Sequence, residues 1–325
     1  MDVHRTPLRA TMPFKRPTVR FRNWWPDFNP HSSFIPRLMR HAVGHELQLV
    51  QDHSIKVDYE VHSVFCTSGL GQRIRSLRQK RSSDPKTRRL AKLRSDYGID
   101  SKGPAAHHIW YTGENLRPPD DWDVTLSFDL DSFSGSNWYL PHWAIRLGDI
   151  AGHDPSDPLS VRNQDLITGR EATERRPRFA VVLAGNPHPI RSLLSASLAQ
   201  IEKVDTFGAA YGRPVASKMD LFKQYRFAIV PENDLYPGYV TEKVVEAWLA
   251  GCIPIWWGTD AAGYLNQDAH LNLATTSLEQ LIETVWELDS DDEKQHRMTS
   301  QPILMKPYDF DACVDFMRER LQIEP

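Results

Sequence analysis

The chain has 325 residues, a formal net charge of −3, 40 % hydrophobic residues and 25 % charged residues. This length suits two domains of ordinary size, and the average composition allows a sizeable core. A net charge this close to zero gives no reason to expect binding to nucleic acid or to an anionic membrane, so no nucleic-acid partner is expected. We expect no membrane span, because no segment reaches roughly 18 apolar residues, and no secretory signal in residues 1–22.

The cysteines indicate the compartment. Cys66, Cys252 and Cys313 are odd in number and far apart in the chain, which predicts neither a disulfide framework nor a metal-ligand set. A reducing compartment follows, and we expect a cytoplasmic location.

The N-terminal half alternates strand and helix patterns. Residues 1–17 carry basic residues and prolines without apolar periodicity, which predicts a disordered tail. Strands are predicted at 19–25, 57–65, 107–111 and 122–130, and helices at 34–47 and 140–147.

A strongly basic stretch interrupts this half. Residues 73–94 hold ten Lys or Arg and one acid, Asp84. We interpret the stretch as a solvated helical hairpin broken at Asp84-Pro85. The alternatives are a basic patch for an anionic membrane surface, which allows peripheral contact, or one for RNA. RNA is the weaker option, because no aromatic residues are interleaved.

A polar segment separates this half from a second run of strands and helices. Residues 148–176 contain two Asp-Pro steps and are the predicted interdomain linker, with domains assigned to 18–165 and 166–325. Strands follow at 179–184, 227–230 and 253–257, and helices at 190–201, 241–250, 277–288 and 311–321. The pattern predicts two α/β domains facing across a cleft, with the last helix packing back on the N-terminal domain.

The most informative segment is the strand–loop–helix–strand unit at 225–258. Its strand-to-helix junction carries Glu232, Asn233, Tyr239, Glu242 and Lys243, which suggest a sugar-nucleotide site. A helix starting near residue 241 offers free N–H groups and a positive dipole end to a diphosphate, and the lysine adds a charge. The alternative is an exposed helix start with a capping acid.

Two further residues fit a phosphate site. Arg191, in the first turn of the helix at 190–201, has a planar guanidinium that can bind phosphate oxygens bidentately, and Asn186 lies in the preceding loop. Glu232 and Glu242 cannot bind phosphate and suit ribose or sugar hydroxyls instead.

Glu114 closes a strand of the other domain. A carboxylate there can take a proton from an attacking hydroxyl, although it can also cap the turn at 115–116. Asp129-Leu130-Asp131 is a weak match to a metal-binding Asp-x-Asp, and we interpret both acids as loop residues. We expect His107 and His108 to be structural, and no metal site is predicted.

Four segments resemble the α1,3/4-fucosyltransferases of glycosyltransferase family 10, and their bacterial members in particular. The segment 225–258 is similar to the family signature with its Tyr-Val-Thr-Glu-Lys. The other three are 110–115, the span from 128–129 through 140–141, and 186–191. The first strand with its Asn-Trp-Trp at 23–25 is also similar. The resemblance covers roughly residues 18–265 without the basic insertion at 73–104.

The resemblance implies a GT-B architecture of two Rossmann-like domains. It implies GDP-β-L-fucose as donor and an inverting displacement onto an N-acetylglucosamine or glucose residue of an N-acetyllactosamine-like glycan, through an α1,3 or α1,4 linkage. It implies no protein-bound cofactor and leaves room for Mg²⁺ or Mn²⁺ to stimulate the reaction.

The resemblance also implies roles for individual residues. Glu114 would be the general base, and Arg191 and Lys243 would hold the diphosphate. The residues implied to contact ribose, guanine-side groups or fucose are Asn233, Tyr239, Glu242 and Glu232, with Asn186 in the same binding set. Trp25 and Asp27 would lie on the acceptor side.

The chain departs from the family pattern at several places. Pro231 stands where the family has an aromatic or aliphatic residue, and the loop before Arg191 is one residue shorter. The alternatives kept open are a transferase of GDP-mannose or GDP-galactose, a catalytically inactive nucleotide- or glycan-binding protein of the same fold, and a binding module centred on 73–94.

Overall fold

The computed structural model describes residues 16–25, 28–64, 102–119, 121–149, 161–171 and 175–324. The predictions for the N-terminal tail up to residue 15, for Asp27, for Cys66 and for the basic stretch 73–94 lie outside the described residues. None of the described helices combines the length and the apolarity that crossing a bilayer requires.

The N-terminal sheet has six parallel strands in the order β2-β1-β3-β4-β5-β6. The strands are β1 (Thr18–Arg22), β2 (Gln48–Leu49), β3 (Val57–His62), β4 (Ala105–Tyr111), β5 (Val124–Ser127) and β6 (Asn137–Tyr139). Helix α1 (Phe34–Val43) covers one face through a buried apolar side that includes Leu38 and Met39. Strands of a parallel sheet are buried on both faces, which explains the continuous apolar runs that the sequence shows.

The C-terminal sheet has five parallel strands in the order β11-β10-β9-β7-β8. The strands are β7 (Arg178–Leu183), β8 (Val204–Phe207), β9 (Tyr225–Ile229), β10 (Ile253–Trp256) and β11 (Leu271–Asn272). The helices after residue 160 are α2 (Asn163–Ile167), α3 (Pro189–Leu198), α4 (Lys218–Phe222), α5 (Lys243–Leu249), α6 (Leu278–Ser290), α7 (Asp292–Ser300) and α8 (Phe310–Leu321). The strand order reverses between β7 and β9, and ligands of such sheets bind outside the carboxyl ends at that point.

Helix α8 packs against the N-terminal unit. Its Val314, Met317 and Leu321 share one buried core with Leu38 of α1. The Arg318 Nε donates to the Ala42 carbonyl oxygen at 3.0 Å. The last described helix therefore lies on the first unit, whereas the domain boundary at 165/166 stays a prediction.

Several elements differ from the sequence-based expectations. The predicted helix at 140–147 is a 3₁₀ helix, His142–Arg146. The predicted linker contains α2, whose Leu166 is fully buried, so this part of 148–176 belongs to the packed structure. Strands β6 and β8 and helix α7 were not predicted, because β6 and β8 are short and α7 has almost no apolar periodicity.

Candidate active site

Loops from the carboxyl ends of the two sheets meet directly. The Asn115 side chain, after β4, donates to Asp234 Oδ2, after β9, at 2.9 Å. Tyr139 donates its hydroxyl to the Gly238 carbonyl oxygen at 3.1 Å. The loop between β9 and α5, residues 230–242, therefore forms one wall of the cleft and also contacts the other unit.

A completely buried carboxylate organises this loop. Glu232 has no exposed surface, and its oxygens accept from the backbone N–H and the hydroxyl of Thr241, each at 2.8 Å at the closest. Lys243 Nζ donates to Glu232 Oε2 at 2.8 Å, and Trp256 Nε1 donates to Oε1 at 3.3 Å. Because a buried ionised group is costly without partners, these four donors explain why an acid is stable there.

Arg191 lies in the first turn of α3 and contacts the same loop. Pro189 at the start of the helix fits the position whose N–H would have no helical partner. The buried Arg191 guanidinium donates to the Asn186 carbonyl oxygen and to Asn233 Oδ1, both at 3.0 Å. Both acceptors are neutral, and no carboxylate of the described residues forms an ion pair with this arginine. Its charge is therefore available to an anion.

Glu114 sits in a tight turn directly after β4. Its backbone N–H donates to Thr112 Oγ1 at 2.9 Å, and that hydroxyl donates to the Glu114 carbonyl oxygen at 3.1 Å. Burial raises the pKa of the half-buried carboxyl, while the charges of His142 and Lys243 oppose the rise. A carboxylate with a raised pKa is a stronger base near neutral pH.

Glu242 is held in the ionised form. Burial works against its charge, but the hydrogen bond and the charge of His142, then Lys218 and Lys243, outweigh burial and keep its pKa well below the ordinary value. The His142 Nδ1 lies 2.8 Å from Glu242 Oε2. Two carboxyl groups facing one cleft thus have pKa values shifted in opposite directions, an arrangement typical of functional sites.

Tyr239 is almost completely buried. Its ring packs edge-on against Phe128 of the other unit, with centroids 4.7 Å apart. Burial first, and the charge of Glu232 second, raise the pKa of Tyr239, so its hydroxyl stays a neutral donor.

The predicted acceptor side is partly described. Trp25 belongs to a half-buried aromatic cluster with Trp24 and Phe28, and Trp24 stacks on Tyr111 at 5.6 Å between ring centroids. This cluster connects the end of β1 to the strand that carries Glu114. Asp27 lies outside the described residues.

Sequence reasoning missed two features of the cleft. His142 was assigned to a predicted helix and given no role. Asp129 lies in a loop, as interpreted, but it is also buried and accepts from Arg117 at 2.9 Å and from the Tyr236 hydroxyl at 3.0 Å. The Arg117 guanidinium lies 3.3 Å from the Tyr236 ring centroid. Only the tertiary structure reveals the contacts of Asp129 with Tyr236 and of His142 with Glu242, because these partners are 107 and 100 residues apart in the chain.

Metal binding has no support among the described residues. No group of three or more His, Cys, Asp or Glu in this part of the chain could hold a metal ion. Asp129 and Asp131 do not form a cluster with a third ligand there, and the oxygens of Asp129 are engaged by protein donors.

Comparison with known proteins points in one direction. Residues 174–299 match the family model of the glycosyltransferase family 10 (fucosyltransferase) C-terminal domain. The chain is 29% identical over 180 residues to alpha-(1,3)-fucosyltransferase FucT of Helicobacter pylori, covering 47% of this chain and 38% of that protein. It is 25% identical over 231 residues to human 3-galactosyl-N-acetylglucosaminide 4-alpha-L-fucosyltransferase FUT3, covering 65% and 57%. The chain thus spans less than two thirds of the length of these relatives.

The fold is matched over nearly the whole chain. A crystal structure of an alpha1,3-fucosyltransferase with GDP superposes with a TM-score of 0.68 at 21% identity, covering 98% of this chain and 94% of the other. The same enzyme class with GDP-fucose gives a TM-score of 0.66 at 20% identity. The predicted GT-B fold is confirmed by these matches and by the two parallel sheets.

Proposed function

We propose, from the match of residues 174–299 to the glycosyltransferase family 10 model and the similarity to fucosyltransferases, that this chain transfers L-fucose from GDP-β-L-fucose to a hydroxyl of an N-acetylglucosamine or glucose residue in a glycan, with an α1,3 or α1,4 linkage. The observation that carries the proposal is that a carboxyl with a raised pKa and two cations lie at the loops that meet at the carboxyl ends of the two sheets. Glu114, a carboxyl with a raised pKa, follows β4 of one sheet, and Arg191, which forms no ion pair with a described carboxylate, lies in the first turn of α3 beside the other sheet.

The proposed reaction is a single inverting displacement. Glu114 accepts the proton of the acceptor hydroxyl as its oxygen attacks the anomeric carbon of fucose. The bond from that carbon to the β-phosphate oxygen breaks, and GDP leaves with the electron pair. The developing charge on the diphosphate is stabilised by Arg191, by Lys243 and by the N–H groups at the start of α3.

The two cations are not equivalent in this proposal. Lys243 is already neutralised by Glu232 at 2.8 Å, whereas the acceptors of Arg191 among the described residues are neutral oxygens. We therefore assign most of the diphosphate charge to Arg191. Glu232, without exposed surface, positions Lys243 and the loop, and the ionised Glu242 is the carboxylate left to accept from a sugar or ribose hydroxyl.

Metal dependence and location belong to the proposal as well. We propose that transfer needs no protein-bound metal, which a comparison of rates with EDTA, Mg²⁺ and Mn²⁺ tests. A cytoplasmic location is supported by Cys252 and Cys313, two buried thiols without disulfide partners. Membrane contact through 73–94 is tested by vesicle sedimentation with and without anionic lipid.

The primary experiment is a donor panel with an isosteric base variant. The full chain is offered GDP-fucose, GDP-mannose, GDP-galactose and UDP-galactose with N-acetyllactosamine as acceptor. We expect transfer from GDP-fucose. Glu114→Gln should lower kcat by on the order of 10²–10⁴ while GDP affinity stays within about threefold, because the variant keeps the shape of the site.

The exposed Glu283→Gln, on the outer face of α6, is the matched control and should retain wild-type turnover. Selective transfer from another GDP-sugar would replace the donor assignment. Wild-type turnover in Glu114→Gln would remove this residue as the base.

A further inference from the structure

His142 lies at the junction between the two units. It begins the 3₁₀ helix His142–Arg146 of the N-terminal unit, yet its backbone N–H donates to the Val240 carbonyl oxygen at 3.2 Å. Its ring reaches the same segment, since Nδ1 lies 2.8 Å from Glu242 Oε2. Backbone and side chain thus both attach this residue to the loop that forms the donor side of the cleft.

The other edge of the imidazole packs against the loop of the proposed base. A methyl group placed on Gly113 would lie 3.2 Å from His142 Nε2, so the ring occupies the space beside the residue that precedes Glu114. Among the described residues, Nε2 makes no hydrogen bond. The imidazole therefore stands between the backbone of Glu114 and the carboxylate of Glu242, with one nitrogen unused.

Other charges complete the surroundings of the ring. On the α4 side, Lys218 Nζ lies 3.9 Å from Glu242 Oε1 and 2.5 Å from Glu246 Oε2. One turn along the 3₁₀ helix, Arg146 Nε lies 3.1 Å from Glu246 Oε1. His142 and Arg146 therefore match Glu242 and Glu246, both pairs at a spacing of four residues.

Two further groups, Lys243 and Tyr111, interact with Glu114. Lys243 also favours the ionised form of Glu114, and the buried Tyr111 hydroxyl stays neutral because burial raises its pKa strongly. Of the charges that favour ionised Glu114, His142 has the largest effect, while Glu242 opposes ionisation. Two carboxylates at one site raise each other's pKa, and a hydrogen-bond donor or a positive charge beside them opposes that rise.

We propose that His142 is a positioning residue of the transfer reaction, which holds Glu242 by a hydrogen bond, supports the Glu114 turn by packing, and balances both carboxylates so that they are ionised together. This inference rests on the proposed function, because Glu114 must be ionised to accept the acceptor proton. It explains why an imidazole lies at the point where the two units meet.

The proposal predicts a specific change in pH dependence. Without His142, burial and the repulsion from Glu242 act on Glu114 with less opposition, so the pKa of Glu114 rises further. Because only ionised Glu114 accepts a proton, the acidic limb of the kcat/KM profile should move to higher pH. We expect a displacement of about one pH unit in His142→Asn, equivalent to about a tenfold loss at a pH below the limb.

The experiment measures kcat/KM with GDP-fucose and N-acetyllactosamine from about pH 5 to about pH 9. His142→Asn, His142→Phe and His142→Lys are compared with the wild type and with the exposed control His296→Asn. We expect the limb to move in the Asn and Phe variants and to return toward the wild-type position in the Lys variant, which places an ammonium group beside both carboxylates. GDP affinity should stay within about threefold in all variants, which shows that the donor side is folded.

A uniform loss of rate without displacement of the limb would overturn the inference, because it indicates a packing role only. Equal displacement in the Lys and Asn variants would also overturn it. If the wild type binds GDP but transfers nothing, the proposed function fails first, and this outcome is distinct from an active wild type with an unchanged profile in His142→Asn.

Discussion

Replacement of Glu232 should show how much the donor loop depends on one buried carboxylate. In Glu232→Ala, the Thr241 backbone N–H and the Trp256 indole N–H lose their acceptor, and Lys243 loses its counter-charge. Removing one partner of a buried ion pair costs about 3–5 kcal/mol, and each stranded buried donor about 1–3 kcal/mol. Lys243 is 19% exposed and can turn to water, so we expect a total of about 3–5 kcal/mol.

Urea unfolding followed by circular dichroism measures this loss. In a thermal melt, a loss of 1 kcal/mol lowers the midpoint of a unit of this size by roughly 2–4 °C, so the midpoint should fall by roughly 6–20 °C. Glu232→Gln keeps the volume but turns an amide N–H₂ toward donors, so it should lose less than the alanine variant. Lys243→Met should lose about as much as the alanine variant, because it leaves the completely buried Glu232 carboxylate without its counter-charge, although three donors remain.

The pair Glu232→Gln and Lys243→Met closes a double-mutant cycle with the wild type. We expect a coupling free energy of about 2 kcal/mol, since the two side chains form one hydrogen-bonded ion pair. A loss below about 1 kcal/mol in Glu232→Ala, together with coupling near zero, would refute the conclusion that this carboxylate holds the loop.

Three further predictions concern other residues. Arg191→Ala should weaken GDP binding by on the order of 10–100-fold, and more than Lys243→Ala, because no described carboxylate pairs with its charge; calorimetry with GDP measures both. Burial disfavours the ionised form of Glu60. The hydrogen bonds from His62 and the Gly103 N–H and the charges of His62 and an arginine outweigh burial, and they lower the pKa of Glu60 to about 2. Its ionised form therefore contributes stability above its ordinary pKa of 4.5, which is lost as pH falls toward 2, and urea unfolding of Glu60→Gln should lack this decline. Gly238→Ala should cost about 2 kcal/mol by urea unfolding, because its φ is +85° and a Cβ would lie 2.5 Å from the Phe128 carbonyl oxygen; an unchanged midpoint would show that the loop adapts.

The sequence predicted well those parts of the fold in which local pattern and burial agree. The apolar runs at 179–184 and 227–230 became β7 and β9 within two residues, because central parallel strands are buried on both faces. Edge strands such as β8, which is only partly buried, lack that signal. Helix α7 presents only Gln295 and Thr299 to the interior, so no apolar period marks it.

For the site, the sequence indicated which residue types gather but not which of them pair. Residues 232–243 lie close in sequence, so their convergence at one strand end follows from the strand-to-helix topology. The pairing of Lys243 with Glu232 and of Glu242 with His142 does not follow, because it depends on loop conformation and on the approach of the other unit. Individual roles of these residues stay predictions until the variants above are measured.

Helix α8 has a consequence for the order in which the protein can assemble. The core around Leu38 is completed by Val314, Met317 and Leu321, and these residues leave the ribosome nearly three hundred positions later. During synthesis, the face of α1 that α8 later covers is therefore exposed while the second sheet forms, and chaperones can bind this surface. A cut between the two sheets would likewise separate α1 from the helix that buries it, so neither half should behave as an autonomous folding unit.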